Sequence, residues 1–219
     1  MTRANDLDAD RETALALTPV SRETVARLDR FVALLLERAQ RINLIGPSTI
    51  PTLWTRHVAD SLQLLPLAEG ARTWVDLGSG AGFPGLVIAC ALADGPPARV
   101  HLVESTGKKA AFLREAVAAT GAPAVVHCMR IEDFAERFGE KADVVTARAL
   151  APMGTLLTLA HPLLKRGGRG LFLKGREVER ELTESSEYWN IDASQVPSKT
   201  SPQGRIVIVR RVAPRSNRN

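Results

Sequence analysis

Apolar positions along this chain of 219 residues follow two different periods. From Ser21 to Gln40, Val25, Leu28, Val32, Leu35, Leu36 and Ala39 recur at i, i+3, i+4 and i+7 between charged residues. That spacing predicts an amphipathic helix, with Ser21 as its N-cap. Gly46-Pro47-Ser48 interrupts the pattern, and a second helix is predicted from about Ile50 to Leu65, with Leu53, Trp54, Val58, Leu62 and Leu65 on one side. Beyond Pro66 and Gly70 the period changes. Short β-rich runs at Thr73 to Leu77, Arg99 to Glu104, Ala124 to Cys128, Asp143 to Thr146 and Gly170 to Lys174 alternate with helical stretches. Those stretches are Pro84 to Ala93, Gly107 to Thr120, Glu132 to Phe138 and Pro152 to Leu164. Such alternation predicts βαβ units and a parallel sheet, whose ligands bind beyond the carboxyl ends of the strands. After Lys174 come a charged helix (Glu177 to Ser185), a weak strand at Tyr188 to Ile191 and a strong one at Arg205 to Val212. A hairpin-like loop between the last two would add an antiparallel edge.

These segments divide the chain into a polar tail over residues 1–18, expected to be disordered, a helical cap over 19–70, a cofactor domain over 71–213 and a basic tail over 214–219. With 45% hydrophobic residues the chain can bury one substantial core. Cys90 and Cys128 sit in apolar contexts without metal-ligand spacing, which predicts buried thiols in a reducing compartment. There is no basic segment followed by an apolar leader and no apolar run of membrane-spanning length, so a soluble, cytoplasmic protein is expected. Net charge is +5, but Asp6, Asp8, Asp10 and Glu12 against Arg3 and Arg11 make the first twelve residues −2 and leave +7 elsewhere. That balance favours a polyanionic partner. Arg210, Arg211, Arg215 and Arg218 near the end read equally as a solubilising tail or an electrostatic arm for RNA.

The candidate chemistry centres on Val75 to Gly85, an apolar strand ending in an acid, then Gly78, Gly80 and Gly82, then Phe83-Pro84-Gly85 at a helix start. The same glycines satisfy the G-x-G-x-x-G of dinucleotide sites, with Glu104 at the distance of a ribose ligand. A pyrophosphate on the helix N-terminus would be repelled by Asp76, whereas S-adenosylmethionine carries a sulfonium and an ammonium and no phosphate. Asp76 thus favours the cationic donor over a nicotinamide cofactor. Glu104, ending the second strand, is placed to accept ribose hydroxyls or to cap the next helix. Ile131 and Glu132, after the third strand, would reach the adenine edge. Arg148, after the fourth, reads either as an ion-pair partner or as a group orienting a cofactor carboxylate or a guanine oxygen. Arg56 and His57 stand at i,i+4 and i,i+3 to Asp60 on one helix, a spacing more typical of a structural hydrogen bond than of a metal site. Lys165-Arg166-Gly167-Gly168-Arg169 and Lys174-Gly175-Arg176 frame the fifth strand as a phosphate track or as ordinary surface. No G-x-S-x-G or reactive cysteine motif is present, which disfavours hydrolysis.

The stretch from Arg41 to Val212 resembles the bacterial small-subunit ribosomal RNA guanine-N7 methyltransferases, also called glucose-inhibited division protein B. The resemblance rests on Asn43-Leu44, Arg56-His57 with Asp60-Ser61, Gly78 to Gly85, Glu104-Ser105, Lys108-Lys109, Phe112-Leu113, Ile131-Glu132, Arg148-Ala149 and Lys174-Gly175. It implies a Rossmann-like class I methyltransferase fold with a mostly parallel seven-stranded sheet and an antiparallel edge. It also implies S-adenosylmethionine as cofactor, with contacts from Gly78, Phe83, Ile131, Glu132 and Arg148, beside the Asp76, Gly80 and Glu104 read from the loop itself. Small-subunit ribosomal RNA or the 30S subunit would be the partner, with Asn43, Arg56, His57 and Lys174 as candidate substrate contacts and Arg148 as a positioning group. Neither a metal nor a membrane is expected. Guanine N7 has a free lone pair and no proton, so its methylation needs positioning rather than a general base. A noncatalytic RNA-binding module with an empty cleft is the other reading of the same fold.

Overall fold

The structure, a computed structural model, describes residues 3–215. Helix α1 (Arg3–Leu17) and helix α2 (Arg22–Ala39) open the chain, and Ser21 caps α2 by accepting the Thr24 N–H at 3.1 Å. Leu28, Phe31 and Leu35 of α2 are fully buried, as the period requires. Each such side chain contributes about 1.5–3 kcal/mol of transfer free energy. The Rossmann-like core then follows as β1 (Thr73–Leu77), α4 (Gly85–Leu92), β2 (Arg99–Val103), α5 (Gly107–Thr120), β3 (Ala124–His127), α6 (Ile131–Arg137), β4 (Val144–Arg148), α7 (Met153–Leu164), β5 (Arg169–Lys174), α8 (Val178–Ser185), β6 (Trp189–Pro197) and β7 (Arg205–Pro214).

The seven strands form one sheet in the order β3-β2-β1-β4-β5-β7-β6. The first five run parallel, and β7 pairs antiparallel with both β5 and β6. Alternation along β1 sorts the core into two layers: Trp74 packs with α2, α4 and α5, while Val75 and Leu77 pack with α6 and α7. Because β1 pairs with β2 on one side and β4 on the other, strand order reverses there. In sheets of this kind ligands bind at that switch point, in the crevice beyond the carboxyl ends of the strands.

Three segments depart from expectation. Within the polar tail, expected to be disordered, Arg3–Leu17 instead form α1, docked by Ala14, Leu7 and Leu15 on the core. Arg11 binds Asp29 through two contacts of 2.7 and 2.8 Å, and the Asp10 carboxylate accepts the Trp54 N–H at 2.7 Å. Tertiary partners therefore hold a helix whose own apolar stripe is thin. The predicted helix from Ile50 to Leu65 is a succession of short turns: a 3-10 turn at Pro47–Thr52 with Pro51 inside it, a π turn at Trp54–Ala59, α3 (Asp60–Leu62) and a second 3-10 turn at Leu65–Ala68. Proline removes a backbone donor, and the wide π turn carries Arg56, which borders an open cleft, and the buried His57. Strand β6 has nine residues, with a bulge between Asp192 and Ala193, and so is longer than Tyr188 to Ile191. Its polar residues hid its length. Cys90 is buried, but Cys128 is exposed rather than buried. Among the described residues no helix is long and apolar enough to cross a membrane. Arg218 lies outside the described residues.

Candidate active site

The turn after β1 is built from backbone that only glycine tolerates well. Gly82 adopts φ +99°, and a Cβ there would lie 3.0 Å from Leu86 Cβ and 3.1 Å from Phe31 Cζ. A Cβ on Gly85 would stand 2.6 Å from Asp76 Cβ, so α4 approaches β1 as closely as glycine permits. The Ser79 N–H reaches the Val103 carbonyl at 3.0 Å, tying the turn to β2.

Asp76 does not face the crevice as expected. Only 1% of it is exposed, and its carboxylate accepts the Thr146 hydroxyl at 2.8 Å and the Gly85 N–H at 3.2 Å. Burial raises its pKa to about 6 against the pull of these donors and of the Arg148 cation. It fastens the glycine turn from below. Its sequence position signalled the loop correctly, but packing of α4 against β1 turned the side chain inward.

Glu104 takes up the second of its two expected positions, at the start of the helix after β2. Its Oε2 accepts the Gly80 N–H at 3.0 Å and its Oε1 the Thr106 N–H at 2.7 Å, joining the glycine turn to the start of α5. Each oxygen keeps a lone pair for a further donor. Ile131 and Glu132 open α6 beyond β3; Ile131 packs partly on the core, whereas Glu132 is exposed and 3.9 Å from Arg130.

At the end of β4, Arg148 enters a cluster assembled from distant segments. Its Nη1 donates to the Arg56 carbonyl at 2.9 Å and to Asp60 Oδ2 at 3.2 Å, and its Nη2 donates to His57 Nδ1. The guanidinium lies 5.7 Å over the Phe83 ring, on which His57 also stacks with centroids 4.9 Å apart. Burial first, then the Arg148 and Arg56 cations, lower the His57 pKa to about 3. The imidazole is therefore neutral, accepting at Nδ1 and carrying its proton on Nε2. That Nε2 is buried and has no hydrogen-bond partner among the described residues. Ala149, next along, adopts φ +50°, a conformation costing an L-residue about 1–2 kcal/mol.

Asp60 is the hub of this cluster, and it pairs with Arg148 rather than with its helical neighbours Arg56 and His57. Its Oδ1 accepts from Gln63 Nε2 at 2.7 Å, Thr200 Oγ1 at 2.7 Å and Ser198 Oγ at 3.3 Å. The carboxylate thus holds both Arg148 and the β6–β7 hairpin. Gln63, Ser198 and Thr200 carried no sequence signal, since 138 to 140 positions separate the hairpin residues from Asp60.

Beside the cluster lies an open cleft of ≈ 890 Å³ bordered by Arg56, Arg148, Lys174, Arg176 and the hairpin from Ser198 to Arg205. Lys174 is not a free phosphate contact: its Nζ lies 2.5 Å from Glu181 and 2.9 Å from the Ala151 carbonyl, with 10% of the side chain exposed. Arg56, Arg205 and Arg176 also border the cleft, Arg176 at 3.5 Å from Glu177 on the exposed surface. Asn43 lies in the exposed bend after α2 and does not border this cleft. Among the described residues no group of three His, Cys, Asp or Glu is placed to hold a metal ion.

Comparison with known proteins adds a family context. A family model described as "rRNA small subunit methyltransferase G" matches residues 24–207. A ribosomal RNA small subunit methyltransferase G from Bradyrhizobium sp. (strain BTAi1) is 61% identical over 201 residues, spanning 92% of this chain and 90% of that protein. Among solved structures, an O-methyltransferase from Bacillus cereus in complex with SAH superposes with a TM-score of 0.58 at 15% identity, covering 96% of this chain and all (100%) of that one. Aeropyrum pernix fibrillarin with natively bound S-adenosyl-L-methionine gives 0.52 at 19% identity over 69% and 73% of the two chains. At such identities these two structures speak to the fold alone.

Proposed function

This chain belongs to the rRNA small subunit methyltransferase G family, and we propose on that basis that it transfers a methyl group from S-adenosylmethionine to N7 of a guanosine in small-subunit ribosomal RNA. The observation carrying the reading is the joining of two half-sites: the glycine turn bound by Glu104, and the Arg148–His57–Phe83 cluster at the end of β4. Family membership displaces the dinucleotide reading of the same glycines. A ribosomal substrate places the enzyme in the cytoplasm.

The residues present fit the cofactor. Glu104 has lone pairs left for ribose hydroxyls, Gly80 leaves the loop backbone open where a Cβ would meet only the Gly78 carbonyl oxygen at 3.8 Å, and the buried His57 Nε2–H has no acceptor among the described residues. S-adenosylmethionine supplies, when bound, a methyl group on an electrophilic sulfonium. Arg148 is held by Asp60 and the Arg56 carbonyl so that its cation faces the crevice without rotamer search. A fixed guanidinium there orients a carboxylate or a guanine O6 by paired hydrogen bonds. Neutral His57 adds a donor without adding charge, and Phe83 gives both groups a flat support. No side chain has to remove a proton, because guanine N7 bears none. Rate enhancement then comes from placing N7 in line with the methyl and from fixed charges facing the reacting atoms. Arg56 and Arg176 on the cleft wall meet the phosphates flanking a guanosine splayed out of its helix.

Incubation of the protein with methyl-labelled cofactor and small-subunit ribosomal RNA, free or as 30S subunits, tests the reading. Label entering the RNA is the expected result, and none in either substrate overturns it.

A further inference from the structure

A second open cavity, of ≈ 1150 Å³, lies between the end of α7, α8 and the outer strands β6 and β7. It sits at the opposite end of the sheet from the glycine turn. Strand β5 runs toward the cleft, ending at Lys174 opposite Arg205, and β7 runs back from there, reaching Val209 opposite Gly170. Arg211 is six residues from Arg205, or about 20 Å at ~3.3 Å per residue. The floor is apolar, from Leu164, Leu182, Ile191 and Val212. Trp189 is half-buried in it, 5.2 Å from the His161 ring.

The rim is cationic. Lys165, Arg210, Arg211 and Arg215 border the cavity against the single carboxylate of Asp192, which lies 3.6 Å from Arg210. Arg215 donates to Asn190 Oδ1 at 3.3 Å, so its guanidinium is aligned along β6 without being neutralised. An aromatic floor under a row of cations matches the pattern of single-stranded nucleic-acid sites, where a base stacks on the ring and phosphates meet the charges. A protein partner covering so basic a rim would have to bring its own acids, whereas RNA brings them at every nucleotide.

We propose that this groove is a second contact for the ribosomal RNA, in which an unpaired segment lays a base on Trp189 and its phosphates against Lys165, Arg211 and Arg215. The inference rests on the RNA substrate proposed above. It makes recognition two-point: the crevice takes the target guanosine, and the groove takes RNA that only the folded molecule brings to the far end of the domain. The basic residues near the end of the chain thereby act as part of a built surface rather than as a solubilising tail.

The test uses the full chain with S-adenosylmethionine bound. Affinity for small-subunit ribosomal RNA is measured across a salt series for the wild type and for a Lys165→Ala/Arg211→Ala/Arg215→Ala variant, all three positions being exposed. Removing three phosphate contacts is expected to lower the slope of log affinity against log salt by about 2 to 3 and to weaken binding about tenfold or more, with cofactor affinity unchanged. Trp54 and Trp74 are only 2% and 1% exposed, so RNA-induced quenching of tryptophan fluorescence reports Trp189 and disappears in Trp189→Phe. Unchanged slope and affinity overturn the proposal. So does a variant that binds naked RNA normally yet methylates assembled subunits poorly, which would assign the groove to a ribosomal protein. A wild-type chain that neither binds nor methylates the RNA overturns the substrate assignment itself, and the groove's role with it.

Discussion

Replacing Asp76 with asparagine perturbs the buried carboxylate on which the glycine turn rests. Its pKa rises from 3.8 to about 6 because burial outweighs hydrogen bonds from Thr146, Ser79 and Gly85. At 1.36 kcal/mol per pH unit, that rise amounts to about 3 kcal/mol of stability. The sign follows from proton binding. Between 3.8 and about 6 the folded protein holds a proton that the unfolded chain releases. The contribution is therefore fully present below the lower value and is lost as pH rises through about 6. About 1.4 kcal/mol of it falls between pH 5 and 8. Asparagine cannot ionise, so Asp76→Asn escapes this loss but gives up one acceptor, at a pH-independent cost of about 1 kcal/mol. Urea unfolding of both proteins at pH 5, 6, 7 and 8 isolates the effect in the difference curve. The variant is expected to gain about 1.4 kcal/mol on the wild type from pH 5 to pH 8. A flat difference curve, or one that falls, refutes the reasoning. A cationic cofactor above an ionised Asp76 would also bind the wild type more tightly as pH passes 6, a dependence expected to vanish in the variant.

Other perturbations test other parts of the account. Asp60→Asn removes the charge partner of Arg148 in a pair whose side chains are only 17% and 16% exposed; we expect about 2–4 kcal/mol of lost stability by denaturant titration and weaker cofactor binding by calorimetry. Glu104→Ala frees the N–H groups of Gly80 and Thr106 and removes the ribose acceptor, so cofactor affinity should fall about tenfold to a hundredfold while the far-ultraviolet circular dichroism is retained. Gly82→Ala forces φ +99° on an L-residue and presses on Leu86 and Phe31, and is expected to cost about 2 kcal/mol or more in thermal unfolding. Lys174→Met disrupts the tie to Glu181 and should lower the melting temperature without changing the salt slope of RNA binding, since this lysine is not assigned to a phosphate.

How much of this was legible beforehand depended on whether the cause was local. The parallel strands carry their signal in their own burial: β1 to β5 read as short apolar runs because helices cover both faces. Ser21 announced α2 through one hydrogen bond within three residues. The glycine turn was equally clear, since positive φ and close approach demand glycine whatever lies around it. By contrast, α1 depends on Asp29, Trp54 and Thr55, and no pattern within it reveals those partners. The turns from Pro47 to Ala68 kept helical spacing while Pro51 broke the helix. In the site, sequence placed Arg148 and Glu104 at the ends of β4 and β2 and Phe83 after the glycine turn but could not orient them, and it put His57 on a regular helix where the chain forms a π turn. Whether a carboxylate such as Asp76 faces the crevice or the core, and whether a lysine such as Lys174 is paired, is settled by packing. The Asp60 hub, which joins cap, β4 and hairpin, became visible only once the chain was folded.

Mapping the methyl group on the RNA is the most direct trial of the central claim. After reaction with the wild-type protein and cofactor, small-subunit ribosomal RNA is treated to cleave the chain at N7-methylguanine and the fragments are read by primer extension. The account predicts one new scission, at a guanosine lying in a loop or unpaired segment, that is absent without cofactor. Methylation without scission would put the methyl on another atom, and the base-free mechanism drawn from the Arg148–His57–Phe83 cluster would be wrong.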